Sequence, residues 1–283
     1  MNQYPNPIEL IKSFVEDKLD GDIDALSTYP LYKLWGDKKY GNPDRNFDGD
    51  DTELMRAIYC VVFKDTWKGL TMDTLADYTF RGDTINTYAT MFGRKRQKEQ
   101  SVHPGIDKFH PSEELSEKIM AYNNLVGTIG NMMVLPNKTL TGLTLVDGKY
   151  QPYAWTLNQH RGMHPLWQDY QDRFLCELYK VLTDRPDKDL DLAELVEANN
   201  PSFLPYYGED GWKAYIKNNM LEGYCDLDYK PQLTSKGYTF WRNCYVSPKN
   251  YLSEAERFVA FASCIIEGRA QRIIQVLKDK CFE

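Results

Sequence analysis

Residues 253–277, SEAERFVAFASCIIEGRAQRIIQVL, carry the pattern on which the predicted fold depends. Ser253 is followed three residues later by Glu256, which is the spacing of a capping box, so a helix is expected to begin at Ser253. Apolar residues then recur at helical spacing over about six turns and predict one continuous buried face. That face consists of Phe258, Ala262, Ile265, Ile266, Ile273, Val276 and Leu277. A helix with such a face needs other elements to cover it.

The same periodicity predicts helices near the start of the chain. Asn6 and Pro7 are typical of a helix start, and Gly21 is typical of a helix end. A second helix over residues 23–35 is expected to break near Pro30, because proline lacks the N–H that an interior helical position uses.

A third helix is predicted over residues 52–63. Asp50 is expected to be its N-cap, with Glu53 three residues later completing a capping box. A turn at residues 81–84 is expected to lead into a helix with Asp83 near its first turn. Further helices are predicted over residues 112–123, 167–182, 190–198 and 211–221.

The middle of the chain favours β-structure. Residues 126–136, VGTIGNMMVLP, form a short apolar run typical of a strand. Asp147-Gly148 is a hairpin signal, so residues 139–146 and 149–155 are expected to pair. Repeats and convincing linkers are absent from the sequence. It therefore predicts a mainly α protein, a single helical globular domain over residues 1–283 with a small β-hairpin or short sheet near the middle of the chain.

The charge balance limits the choice of partners. The net charge is -7 and the isoelectric point about 5.3, whereas a protein that coats duplex nucleic acid over a broad face is usually basic. Binding of nucleic acid in a small basic groove stays possible, since Arg94, Lys95, Arg96 and Lys98 lie close together in the sequence. A solvated helix end is the other interpretation of that run.

The cysteines and the hydropathy pattern indicate a compartment. Six cysteines are far apart and form no C-x-x-C pair, which is typical of reduced thiols in a cytosol. Cys60, Cys176 and Cys264 lie within apolar helical patterns, where a thiol packs as a small hydrophobe. A signal peptide is not evident, and the chain lacks the roughly 20 apolar residues needed to cross a bilayer. We therefore expect a cytoplasmic protein with no membrane partner.

The functional surface is expected within residues 79–173, which contain all four histidines: His103, His110, His160 and His164. Histidine suits proton transfer and metal ligation, although so few histidines also cluster by chance. Arg161 lies before a predicted helix start, and both features favour an anion such as phosphate. Asp172 and Arg173 follow on that helix, where an ion-pair network that pins the loop is the alternative.

A second polar patch covers residues 80–87, FRGDTINT. Gly82 allows close approach of the backbone to a ligand, and Asp83, Asn86 and Thr87 share a helical face. A helix N-cap with buried hydrogen bonds is the alternative. Residues 44–49 also match the start of an EF-hand calcium loop, D-x-N-x-D-G, but Met55 stands where a bidentate glutamate is required.

Four motifs resemble an uncharacterised family of bacterial proteins, a domain of unknown function. They are FRGDTINTY (80–88), TIGNMMVLP (128–136), TLNQHRGMHP (156–165) and DRFLCELYKVL (172–182). The family shows a similar R-G/S-D-T-M-N segment, an I-G-N segment and an N-x-x-R-G segment before a D-R-F-D helix; here Leu175 replaces the second Asp. The resemblance implies no activity, but it directs attention to Arg81, Asp83, Asn86, Asn131, Asn158, Arg161, Asp172 and Arg173.

The I-G-N string with a histidine upstream is also similar to some HNH nucleases. That resemblance would make His110 the general base, Asn131 its orienter, and Asn158 or His164 a ligand of a divalent metal that stabilises phosphate charge. The acidic residue usual before the histidine is Phe109 here, and the closing lysine is missing.

Two classes of function remain open. The first is a bacterial or phage cytosolic protein that binds or processes a phosphate-containing ligand, a nucleotide or nucleic acid; the degenerate nuclease is one form of it. The second is a non-catalytic interaction or defence-related protein with a buried polar network. The catalytic candidates are His110, His164 and Asp172, and the ligand-binding candidates are Arg81, Asp83, Asn86, Asn131, Asn158, Arg161 and Arg173. The cofactor is open, with a divalent metal as the candidate, and so is the oligomeric state.

Overall fold

The computed structural model describes residues 5–41, 52–75, 78–81, 110–136, 140–146, 149–155, 170–231 and 251–283. These residues are mainly helical, which confirms the predicted fold class. The α-helices are α1 (Pro7–Leu19), α2 (Glu53–Val62), α3 (Glu113–Val126), α4 (Tyr170–Leu182), α5 (Leu190–Ala198), α6 (Asn200–Phe203), α7 (Gly208–Asn218) and α8 (Tyr251–Leu277). Within the described ranges, none of the helices combines the length and apolarity needed to span a membrane.

Helix α1 begins as predicted. The Asn6 side chain accepts hydrogen bonds from the backbone N–H groups of Ile8, at 2.9 Å, and Glu9. At its C-terminal end Asp20 adopts a left-handed conformation (φ 52°) and Gly21 has φ 81°, so the chain turns away from the helix axis here. The break expected near Pro30 is also present, but both flanking segments, Ile23–Thr28 and Leu31–Leu34, are 3₁₀ helices.

The N-cap of α2 differs from the prediction. Thr52, and not Asp50, precedes the helix in an extended conformation (φ -75°, ψ 149°), and its Oγ1 accepts a hydrogen bond from the Met55 N–H at 3.2 Å. Glu53 is therefore the first helical residue and completes no capping box. Asp50 lies outside the described residues.

We expect Thr52→Ala to lower the free energy of unfolding by about 1 kcal/mol, since the Met55 N–H would lose its acceptor inside the core. Asp50→Ala is the matched control and should change it by less than about 0.5 kcal/mol. Urea denaturation followed by circular dichroism would measure both values. If Asp50→Ala lowered the free energy of unfolding more than Thr52→Ala does, Asp50 would be the N-cap of α2.

Two antiparallel strand pairs complete the fold. The predicted hairpin is confirmed: β3 (Leu140–Val146) pairs with β4 (Lys149–Trp155). The other pair joins β1 (Tyr78–Arg81) to β2 (Met133–Pro136). Of the apolar run 126–136, only the last four residues are a strand. Arg81 was expected in a turn, but its backbone belongs to the end of β1.

Helix α8 packs against α3, α2 and the 3₁₀ turn Ile129–Asn131, here called the IGN turn. It begins at Tyr251, so Ser253 lies in its first turn and is not the N-cap. The predicted face is largely correct: Ala262, Ile265, Ile266, Ile273 and Leu277 are buried, Val276 is partly buried, and the side chain of Phe258 lies outside the description. Cys264, expected to pack in the core, is exposed, because it lies on the opposite face of α8.

Candidate functional site

The structure describes part of the predicted site. His110 and Asn131 are described fully, whereas Arg81, Asp172 and Arg173 are described by their backbone alone. Outside the described residues lie Asp83, Asn86, Asn158, Arg161 and His164, together with the EF-hand-like residues 44–49 and the basic run 94–98. The site can therefore be built from the segments around Arg81 and Asn131.

Strand pairing brings two of the predicted motifs together. Arg81 is the register partner of Met133, and Phe80 is the partner of Val134. Asn131 precedes Met133 by two residues, so the R-G-D-T motif begins beside the I-G-N motif although about 50 residues separate them in sequence. The apolar composition of residues 126–136 suggested a strand, but it could not identify the partner strand.

The IGN turn closes the C-terminal end of α3. The Asn131 side chain is fully buried, and its Nδ2 donates a hydrogen bond to the Val126 carbonyl at 2.9 Å. The Thr128 hydroxyl donates to the Leu125 carbonyl at 2.8 Å. Both bonds satisfy carbonyl groups that a helix end leaves without an intrahelical donor. The asparagine predicted to bind a ligand thus has a structural contact inside the protein.

Gly130 lets the IGN turn approach the backbone of α8 closely. A Cβ atom at this position would lie 2.2 Å from the Ile266 carbonyl oxygen and 2.9 Å from the Ala270 Cβ. Ile129, beside it, is buried in the core. The residues I-G-N therefore have three separate packing roles: core filling, close approach and helix capping.

The side chain of Arg269, in α8, holds the IGN turn in place by hydrogen bonds to its backbone. Its side chain is fully buried. Nη1 donates to the carbonyl oxygens of Gly130, at 2.9 Å, and Met132, at 2.6 Å, while Nε donates to the Asn219 carbonyl at 3.1 Å. One guanidinium thus joins three parts of the chain: α8, the turn before β2 and the residue after α7.

The charge of Arg269 is stabilised by carbonyl dipoles and by one aromatic ring. Burial lowers the pKa of Arg269 to about 10, so it stays protonated at neutral pH. Its Cζ lies 5.7 Å from the centroid of the Phe63 ring, a cation–π distance. Within the described part of the chain it has no ion pair with a carboxylate, and its Nη2 has no hydrogen-bond partner. The three carbonyl groups therefore offset most of the cost of burying this charge.

A second arginine holds the same turn after α7. Arg272 Nη2 donates to the Met220 carbonyl at 3.0 Å, and Nη1 pairs with Glu222 at 3.2 Å. Met220 has a left-handed backbone (φ 57°), which is uncommon for a residue other than glycine. Arg269 and Arg272 together hold this turn against α8.

Sequence reasoning missed Arg269, although the signal was present. Position 269 lies four residues after Ile265 and four before Ile273, at the spacing of the predicted buried face. A charged residue in such a face marks a buried polar contact, because an unpaired charge is costly in a core.

The geometry separates the two residues on which the nuclease alternative depends. His110 is exposed and precedes α3, whereas the Asn131 side chain is bonded to the last residue of that helix. The helix has 14 residues, so at 1.5 Å per residue its two ends lie roughly 20 Å apart. This separation and the contact of Asn131 with Val126 count against Asn131 as the orienter of His110, and the nuclease alternative stays a prediction.

The described residues offer little other chemistry. Burial raises the pKa of the Cys60 and Cys225 thiols to about 12, so neither is a thiolate nucleophile at neutral pH. Among the residues in the described ranges, no group of three His, Cys, Asp or Glu side chains could hold a metal ion. No protein-family model, curated protein or solved structure matches this chain.

Proposed function

We propose that this protein binds a phosphate-containing ligand, a nucleotide or nucleic acid, through the polar segment that begins at Arg81. The supporting observation is the register of β1 and β2, in which Arg81 lies opposite Met133 and beside the IGN turn. Arginine is well suited to this ligand, since its planar fork of N–H groups matches two phosphate oxygens.

The buried contacts beneath β2 support the same proposal. Arg269 bonds the carbonyl of Met132, and the Tyr59 hydroxyl donates to the Met133 carbonyl at 3.2 Å. Strand β2 is therefore held by α8 and α2, and it holds β1 in turn. A ligand-binding arginine on such a support loses little backbone freedom on binding, which favours affinity.

A cytoplasmic location and a bacterial or phage origin belong to the same proposal. All five cysteines in the described ranges are free thiols, which supports a reducing compartment. The resemblance to the uncharacterised bacterial family stays a prediction. If a divalent metal takes part, it would bind together with the phosphate group of the ligand. Binding is therefore measured with and without Mg²⁺.

The experiment compares the wild-type protein with Arg81→Ala by fluorescence anisotropy, using labelled ATP and a labelled single-stranded oligonucleotide. We expect the wild type to bind at least one of them, and the variant to bind about tenfold more weakly or worse, because a charge-assisted hydrogen bond is lost. Affinity should fall as salt is raised.

Arg257→Ala is the matched control. It removes an exposed arginine from α8, and it should leave binding unchanged. Equal binding by the Arg81 variant and the wild type would contradict the proposed role of Arg81. Failure of the wild type to bind either probe, with or without Mg²⁺, would contradict the proposed function itself.

A non-catalytic interaction protein is the second candidate, and the burial of Asn131 favours it. Its side chain and that of Arg269 bond backbone groups within the protein. The variant Arg161→Ala distinguishes the two candidate functions. If it belongs to a buried network, Arg161→Ala should unfold the protein; if it binds the ligand, the variant should melt like the wild type and lose only binding.

A further inference from the structure

Two cysteines outside the proposed phosphate site lie in segments that the fold brings together. Cys176 is in α4, and Cys225 directly follows the 3₁₀ turn Glu222–Tyr224. Both are free thiols, and both are partly exposed. Helix α4 packs against α7, the helix that comes before this turn in the chain. The two thiols are therefore carried by neighbouring elements, although they are distant in the sequence.

Trp212 of α7 joins the two segments. The centroid of its ring lies 5.3 Å from that of Tyr179, which is one turn after Cys176 on α4. The Nε1 of Trp212 donates a hydrogen bond to the Tyr229 carbonyl at 2.7 Å. Tyr229 belongs to the short loop that begins at Cys225 and is closed there by a β-bridge. One tryptophan therefore contacts the face of α4 that carries Cys176 and the loop that Cys225 begins.

The electrostatics of Cys225 show the same proximity. Burial raises the pKa of this thiol to about 12, and the negative charges of Asp226, Glu222 and Cys176 also raise it. Asp226 and Glu222 are close to Cys225 in the sequence, whereas Cys176 acts on it through space. Repulsion between charges falls with distance, so the two sulfur atoms are close enough to interact.

We propose that Cys176 and Cys225 form a reversible disulfide when the protein meets a hydroperoxide. In the first step the Cys176 thiolate attacks a peroxide oxygen, the O–O bond breaks, and the sulfur becomes a sulfenic acid while an alcohol, or water, leaves. In the second step the Cys225 thiol loses its proton and displaces water from the sulfenic acid, which forms the S–S bond. The two thiols together lose two electrons and two protons, and the hydroperoxide accepts them.

The surroundings of Cys225 determine the order of these steps. It stays protonated at neutral pH because its pKa is raised, so it is a poor first nucleophile. Cys176 is therefore the thiol that is oxidised first. In a reducing compartment the bond would be transient, as regulatory disulfides are. The proposal does not rest on the phosphate-binding function, because neither cysteine belongs to the Arg81 segment.

The test is peptide mapping of the full-length protein after treatment with hydrogen peroxide at neutral pH. Trypsin cuts after Arg173, Lys180 and Lys217, so Cys176 and Cys225 lie on separate peptides. We expect mass spectrometry without reduction to find these two peptides joined, and dithiothreitol to separate them. A disulfide requires Cα atoms within about 7 Å of each other, so the joined peptides would verify the geometry directly.

Thermal melts provide a second measurement. The disulfide would close a loop of about 50 residues, so the oxidised wild type should melt about 5 °C above the reduced protein. Cys176→Ser and Cys225→Ser should each show no such rise. Cys264→Ser removes an exposed cysteine of α8; it is the matched control and should behave as the wild type does. The proposal is overturned if the two peptides stay separate, or if oxidation raises the melting temperature of the Cys176 and Cys225 variants as much as that of the wild type.

Discussion

Replacing Arg269 with methionine is expected to lower the free energy of unfolding by about 3 kcal/mol. Methionine fills a similar volume, so a cavity contributes little. The loss arises because the carbonyl groups of Gly130, Met132 and Asn219 are left without their donor in the core. Removing a fully buried charge recovers part of that loss, since the charge no longer has to be desolvated.

Urea denaturation followed by far-ultraviolet circular dichroism would measure this change. Arg269→Lys should also destabilise the fold, because one ammonium cannot reach acceptors on both sides as a guanidinium does. Arg272→Met is the matched control from the next turn of α8. Its side chain is 41% exposed, so its loss should cost no more than about 1 kcal/mol. An Arg269→Met variant as stable as the wild type would show that the three carbonyl groups do not depend on this guanidinium.

Gly130→Ala is expected to cost about 3 kcal/mol or more, although it adds only one methyl group. The new Cβ would lie 2.2 Å from the Ile266 carbonyl oxygen, which belongs to the backbone of α8 and cannot rotate away. The IGN turn and α8 would have to separate, and the hydrogen bonds from Arg269 to Gly130 and Met132 would lengthen.

Gly268→Ala, which lies in α8 itself, is expected to have the opposite effect on stability. A Cβ at Gly268 meets nothing within 4 Å, and alanine is favoured over glycine in a helix by about 1 kcal/mol. The variant should therefore raise the melting temperature while Gly130→Ala lowers it. Thermal melts of both proteins would measure the difference, and a neutral Gly130→Ala would mean that the turn moves freely against α8.

The Arg269 and Gly130 variants also distinguish a structural from a functional role of the I-G-N motif. In the described structure Ile129, Gly130 and Asn131 all contact the protein interior. If the motif serves packing alone, variants at these positions should lose stability, and any loss of ligand binding should follow the unfolded fraction. If it also positions Arg81, binding by the folded fraction should weaken as well.

The local elements followed from the sequence because local chemistry decides them. Asn6 and Ser112 cap the helices that they precede, and Asp147-Gly148 indicated the hairpin that joins β3 to β4. Each of these features depends on residues a few positions apart. Cap assignment was wrong at Thr52 because several Asp and Thr residues compete there, and the backbone conformation selects one of them.

Helix α8 was predictable as a helix, and its buried face was largely correct, because period and burial are readable from one segment. The sequence alone did not determine what covers that face. The pairing of Arg81 with Met133, the approach of Gly130 to Ile266 and the reach of Arg269 to three carbonyl groups all join distant segments. Only the tertiary structure decided these contacts, because each of them depends on which distant segments pack against each other.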